Sequence, residues 1–150
     1  RILTSCIGLR GMAGGQAMDL EFKGEKEKIF KIQRMKTADL IRGTLLSAAE
    51  ILDMPDDQKK ALDMAGVFIG IAFQMADDLL DVIGDEHKVG KRLHKDELNK
   101  SPNSVVFYGR EFIEEKIDIL YQKTLEKLKE IEIEFPPFLN LIKKMAYRSR

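Results

Sequence analysis

The stretch AGVFIGIAFQMADDLLD, residues 65–81, decides the fold. From residue 65 to 76 only Gln74 is polar, and then Asp77, Asp78 and Asp81 follow almost at once. An apolar run of this length, without strict alternation, predicts a helix with neighbours on most sides. Its acidic end predicts the point where that helix meets something polar. On a helix Asp77 and Asp81 lie one turn apart and point the same way, with Asp78 about 100° round from Asp77. Three carboxylates at this spacing repel one another unless positive charge offsets them. Magnesium does so well, because it takes one or two carboxylates, keeps waters and accepts the rest of its oxygens from phosphates. Taken alone, DDLLD fits an exposed acidic patch better, since short motifs match by chance.

Outward from this stretch the pattern stays helical. Residues 57–83 read as one helix, entered through Asp53-Met54-Pro55-Asp56-Asp57, where Pro55 suits a helix end or a helix start. Residues 26–52 carry the stripe Ile29, Ile32, Met35, Leu40, Ile41, Leu45 and Ala48, whose phase shifts near Lys36. Residues 2–20 read as a further helix despite Gly8, Gly11, Gly14 and Gly15, each costing about 1 kcal/mol relative to Ala. Gly11 and Gly15 share a face there and permit close approach of a neighbour. Gly24 falls in the turn that follows. Residues 84–101 are polar, with Lys88, Lys91, Arg92, Lys95 and Lys100, and read as a long loop of the kind that often carries function. Residues 104–134 and 137–147 form the last helices, separated at Pro136-Pro137. The expectation is an all-α fold of at least five helices, with the aspartates at the C-terminal end of the most buried one.

Composition narrows the class. Lys plus Arg and Asp plus Glu both number 25 among 150 residues, which argues against a nucleic-acid protein. Charged residues make up 33% and hydrophobic ones 44%, as in a helical domain with busy polar faces. The single cysteine, Cys6, allows no internal disulfide and fits a reducing, cytoplasmic setting. No apolar run approaches the roughly 20 residues that span a bilayer, and no signal-peptide pattern opens the chain. The sequence starts without methionine, inside a helical pattern, and reads as part of a longer chain.

The neighbours of DDLLD change its weight. Lys36 sits beside Thr37 in mid-helix, and Lys91 and Lys100 follow the acidic helix with Lys95 and Asp96 between them. Lysine is a usual point-charge partner for phosphate. Solvation accounts for Lys95. The strings GMAGGQAMDL (11–20), KTADLIR (36–42), GIAFQMADDLLDVIGDE (70–86) and GKRLHKDELNKS (90–101) together resemble four ordered motifs of the trans-isoprenyl diphosphate synthases, the polyprenyl synthetase family. They resemble its GGQxxDL helix, its KTGxLI motif, its second aspartate-rich motif with the preceding FQ, and its GKxxxxD…KS loop. The bacterial farnesyl and geranylgeranyl type is the nearest likeness. Residues 1–150 then correspond to the C-terminal half of that helical bundle, a partial polyprenyl synthetase domain.

The resemblance implies roles. Asp77 would ligate Mg2+, with Asp78 and Asp81 supporting it directly or through water. Lys36, Lys91 and Lys100 would hold the allylic diphosphate. Thr37 and Gln74, with the Lys36 carbonyl, would face the reacting carbon and stabilise its developing positive charge. Gln16 and Asp19 would line the same cavity. Isopentenyl diphosphate would be the second substrate, and a homodimer the assembly. Phe68, Phe73 and Met75 are candidate cavity walls, although a core role suits each better. Cys6, His87 and His94 need no role.

The chain also departs from the family pattern. The first aspartate-rich motif, DDxxD, is absent. Ala38 stands for the usual glycine after KT, His94 for a common glycine, and Pro102-Asn103 for Thr-Tyr after KS. The last two changes bear on closure of the diphosphate loop. A non-catalytic helical subunit that pairs with a complete synthase is the competing reading, and a terpenoid cyclase a more distant one.

Overall fold

A computed structural model describes residues 1–83, 102–134 and 136–147, and every regular element among them is helical. The elements are α1 (Ile2–Ile7), α2 (Met12–Leu20), a 3-10 turn (Lys26–Lys28), α3 (Ile29–Gln33), a π-helical turn (Arg34–Ala38), α4 (Asp39–Ile51), α5 (Asp56–Ile83), α6 (Ser104–Tyr108), α7 (Arg110–Lys129) and α8 (Pro136–Ala146). The anticipated all-α architecture holds, and α5 lies at its centre, packed against the π turn, α4, α6, α7 and α8. Ala65, Ile69, Ala72, Met75, Ala76 and Leu79 of α5 form the core with Ala49, Ile113, Ile117, Leu128, Ile142 and Ala146. Met75 is thus a core residue, while Phe68 and Phe73 are only partly buried. No described helix is long and apolar enough to cross a membrane.

Two of the expected helices are interrupted. Residues 2–20 divide because Gly8 adopts an extended conformation and Gly11 becomes the N-cap of α2. A Cβ on Gly11 would lie 1.8 Å from the Cys6 carbonyl oxygen, so the two segments fold tightly against each other. Residues 104–134 divide at Gly109, whose φ of 87° ends α6 before α7 begins. The last helix begins one residue earlier than expected, at Pro136. Proline is favoured at a helix start because its missing N–H would find no intrahelical partner there.

Helix ends are closed by backbone geometry. At the end of α4 the Asp53 N–H donates to the Glu50 carbonyl and the Met54 N–H to the Ala49 carbonyl. Asp53 holds the left-handed conformation (φ 50°) that this motif needs. The same pair of bonds closes α7, from Glu132 to Lys129 and from Ile133 to Leu128, with Glu132 at φ 55°.

The phase shift near Lys36 has a structural cause: residues Arg34–Ala38 form a π turn between α3 and α4. A π turn adds a residue to the local helical repeat and rotates everything after it, and such turns are frequent at functional sites. Small residues grip it from two sides. A Cβ on Gly15 of α2 would lie 2.3 Å from the Lys36 amide nitrogen, and one on Gly70 of α5 would lie 2.5 Å from the Ala38 Cα. One turn away, a Cβ on Gly66 would sit 2.7 Å from the Arg42 Cα. Only hydrogen fits at these points. Gly15→Ala and Gly70→Ala should each destabilise the fold by about 1–3 kcal/mol through overpacking, whereas Ala for Gly in an open helix stabilises it by about 1 kcal/mol. Urea unfolding of the two variants beside the parent reads out the sign.

Candidate functional site

The π turn, α2, α3, the last three turns of α5 and the approach to α6 meet around one small cavity. It is lined by Asp19, Ile32, Gln33, Lys36, Gln74, Asp78 and Pro102, with a volume of about 30 Å³. Asp19 comes from α2, and Ile32 and Gln33 from α3. Lys36 comes from the π turn, and Gln74 and Asp78 from α5. Pro102 immediately precedes the Asn103 cap of α6.

A chain of hydrogen bonds crosses this region. The Thr37 hydroxyl donates to Gln74 Oε1 at 2.7 Å. Gln74 Nε2 then donates to Asp78 Oδ1 at 3.0 Å. On the other oxygen, Asp78 Oδ2 accepts from Gln33 Nε2 at 2.7 Å, the Ser104 N–H at 2.7 Å and the Ser104 hydroxyl at 2.6 Å. Asn103 Nδ2 adds a bond of 3.1 Å to the Asp78 carbonyl. Beside this chain Lys36 Nζ pairs with Asp19 Oδ2 at 2.8 Å. The Lys36 side chain keeps 36% of its surface exposed, so its ammonium remains within reach of an anion arriving from solvent.

The aspartate trio therefore splits by environment. Asp78 is 2% exposed and, among the described residues, accepts from four donors on three segments of the chain, which anchor its carboxylate. Burying an ionised carboxylate costs several kcal/mol, and hydrogen bonds to a charged acceptor return about 1.5–3 kcal/mol each. Asp77 is half-buried and Asp81 is buried, one turn apart on α5. Among the described residues no three His, Cys, Asp or Glu side chains are gathered to hold a metal ion. Two carboxylates one turn apart nonetheless match what magnesium asks of a protein when phosphate supplies further oxygens. Asp77 and Asp81 fit that requirement, with Asp78 beside them on the same helix.

Of the other anticipated residues, Asp19, Lys36, Thr37 and Gln74 come together as described. Gln16 does not join them: it is exposed. Three helical residues turn through about 300°, which leaves it about 60° round α2 from Asp19. Lys91 and Lys100 lie outside the described residues. Gln33, Asn103 and Ser104 were not anticipated. Asn103 had a sequence signal, since Asn before an apolar run is a typical N-cap; its Oδ1 accepts from the Val105 and Val106 N–H groups at 2.9 and 3.3 Å. The Pro102-Asn103 departure thus supplies both the cap of α6 and a tie to α5. Gln33 had a fainter one, a polar residue next to Ile32 in an apolar stripe.

Behind the cavity the π turn runs on into Asp39, which is 4% exposed and faces Arg34 Nε at 4.0 Å and Arg42 Nη1 at 3.7 Å. Burial pushes the Asp39 carboxyl up, and the two guanidiniums pull it part of the way back. Arg42 also bonds Asp63 of α5. Burial lowers the Arg42 guanidinium, and the Asp63 hydrogen bond together with the charges around it, Asp63 first, more than restores it, so the net direction is upward.

The polyprenyl synthetase model matches residues 3–134, nearly the whole of the described chain. The chain belongs to the polyprenyl synthetase family. It is 33% identical over 120 residues to the farnesyl diphosphate synthase of Bacillus subtilis, covering 78% of this chain and 40% of that protein. With the Escherichia coli farnesyl diphosphate synthase it shares 34% over 135 residues, covering 86% of this chain and 44% of that one. The chain thus spans less than half the length of these curated relatives. Among solved structures, the Helicobacter pylori geranyltransferase complexed with magnesium and isoprenyl diphosphate superposes with a TM-score of 0.80 at 28% identity. It covers 98% of this chain and 50% of the other.

The different surroundings of Asp77 and Asp78 lead to a measurable contrast. Asp78→Asn turns an acceptor into a donor that faces other donors, and should cost about 1–3 kcal/mol of stability or more. Asp77→Asn, at a half-buried position, should cost clearly less. Thermal or urea unfolding of this polyprenyl synthetase chain separates the two, and equal losses would contradict the division.

Proposed function

We propose that this chain carries one half of the active site of a short-chain prenyl diphosphate synthase. In this reading the intact protein joins an allylic diphosphate to isopentenyl diphosphate. The observation that carries the reading is the juxtaposition of Lys36 with the Thr37–Gln74–Asp78 hydrogen-bond chain around one cavity, one helical residue from Asp77. Names of relatives support it at the level of farnesyl and geranylgeranyl diphosphate synthases.

In such a reaction the allylic carbon–oxygen bond breaks and its electron pair leaves with the diphosphate. The double bond of isopentenyl diphosphate attacks the allylic carbon, a carbon–carbon bond forms and a proton is lost. Lys36 provides fixed positive charge for the departing diphosphate, the electrostatic task that dominates such steps. Asp77, supported by Asp81 and Asp78, would hold magnesium, which would supply further neutralisation of that negative charge. The Thr37 hydroxyl spends its one proton on Gln74, so its remaining lone pairs are available to the allylic cation. No protein nucleophile is needed. Exposed Leu9, Leu20, Ile51 and Leu52 support a role for further protein surface, from the rest of the intact protein or from a second copy in a homodimer.

The test uses magnesium, an allylic diphosphate and labelled isopentenyl diphosphate. The intact protein should form a longer prenyl diphosphate, and Asp77→Ala should lower turnover by about 10²-fold or more, on the scale set by loss of one key electrostatic group. Residues 1–150 alone should form none, because one aspartate pair and one lysine set stabilise the leaving group from one side only. Product from the isolated chain, or full turnover by Asp77→Ala, would overturn the reading.

A further inference from the structure

Gln33 stands outside every motif that pointed to the site, yet it is 2% exposed and sits against the site's central carboxylate. Its Nε2 donates to Asp78 Oδ2, and its Oε1 is buried without a hydrogen-bond partner. An unpaired buried amide oxygen is unfavourable, and an apolar side chain of the same length would avoid it. The arrangement therefore makes physical sense only if the bond from Nε2 to Asp78 has a use.

The use follows from the order of the hydrogen bonds. Gln74 can present its amide in two ways. With Asp78 ionised, only Nε2 can face Oδ1, because an amide oxygen there would meet a carboxylate oxygen. That choice turns Gln74 Oε1 towards Thr37, at 2.7 Å from its hydroxyl. Thr37 then has to donate its single proton to Gln74, which leaves its lone pairs to accept from, or face, another group. The direction of the whole chain is thus fixed by where the Asp78 carboxylate sits. Among the described residues, two segments hold the Oδ2 side of that carboxylate: Ser104 at the start of α6 and Gln33 at the end of α3. Gln33 directly precedes the π turn that carries Lys36 and Thr37. It therefore locks the carboxylate to the same stretch of backbone that carries Lys36 and Thr37.

We propose that Gln33 is a positioning residue for prenyl transfer, holding Asp78 so that Gln74 and Thr37 present their oxygens, not their protons, to the allylic cation. This deepens the synthase reading and rests on it. Gln33 touches no reacting atom and acts through Asp78 and Gln74. Its loss should affect the chemical step more than the binding of either diphosphate or of magnesium.

The experiment compares Gln33→Met, which keeps the length but removes the donor, with Gln33→His, whose Nε2 reaches about as far and restores an N–H, in the intact protein. Gln33→Met should lower kcat about 10-fold or more, with KM for both diphosphates and the magnesium concentration for half-maximal rate within about 3-fold of the parent. Gln33→His should recover most of kcat. In a Gln74→Leu background, Gln33→Met should cause little further loss, since both act on one unit. Full additivity, a change confined to KM, or a shift in magnesium dependence would overturn the proposal. So would an unchanged kcat. If the parent itself shows no prenyl transfer, the synthase reading fails. The positioning claim is then decided by side-chain amide NMR of Gln74. A resolved, slowly exchanging NH2 pair in the parent that becomes averaged in Gln33→Met supports the lock, and identical Gln74 signals in both refute it.

Discussion

A buried carboxylate is the constraint around which this half-site is organised. Asp78 lies at a depth where an uncompensated charge would be prohibitive, so the chain must bring donors to it from wherever they are available. They come from α3, from α5 itself and from the start of α6. Residues 45 and 26 positions away in sequence are thereby fixed relative to the acidic end of α5. The apolar core brings the helices side by side, but apolar contact is non-directional. The hydrogen bonds to Asp78 set the register in which α3, α5 and α6 meet at the site.

The same constraint separates the roles of neighbouring aspartates. Asp77 and Asp78 are adjacent in sequence, yet they face different surroundings because one helical step turns the chain through about 100°. One carboxylate turns towards Gln33 and Ser104, while the other keeps partial access to solvent. The dipoles of neutral donors stabilise the first carboxylate where it lies. Neighbouring carboxylates on one helix thus meet quite different surroundings, one anchored by buried donors and the other partly open.

Much of this was readable from the chain alone. The apolar run before Asp77 located the central helix, and the ordered motifs brought Asp19, Lys36, Thr37 and Gln74 to one place. The phase shift near Lys36 was visible as a break in the stripe, although periodicity alone did not name it a π turn. What escaped was set by tertiary geometry. Whether Asp78 points in or out depends on a single helical step and on donors far along the chain. The split between α1 and α2 depends on how closely Gly11 meets Cys6. Asn103 looked like a departure from a motif, but as an N-cap and a tie to Asp78 it does the work of a loop anchor. Gln16 shows the reverse: membership of a motif did not bring it to the cavity wall.

The glycine grip on the π turn has a thermodynamic consequence. A turn that formed only when ligand arrived would charge its ordering entropy against affinity. Here Gly15 and Gly70 admit the neighbouring backbone so closely, at Lys36 and at Ala38, that packing adds to the helical hydrogen bonds in fixing the turn between them. The conformational cost of shaping this part of the site is met during folding, when the core forms, and not at the moment of binding. Among the described residues beside this turn, the Lys36 side chain stays partly exposed while paired with Asp19; immobilising such a rotamer-rich group on binding costs roughly 0.5–1.5 kcal/mol. The backbone of this wall is therefore shaped before any ligand arrives, and the Lys36–Asp19 pair already holds the ammonium beside it.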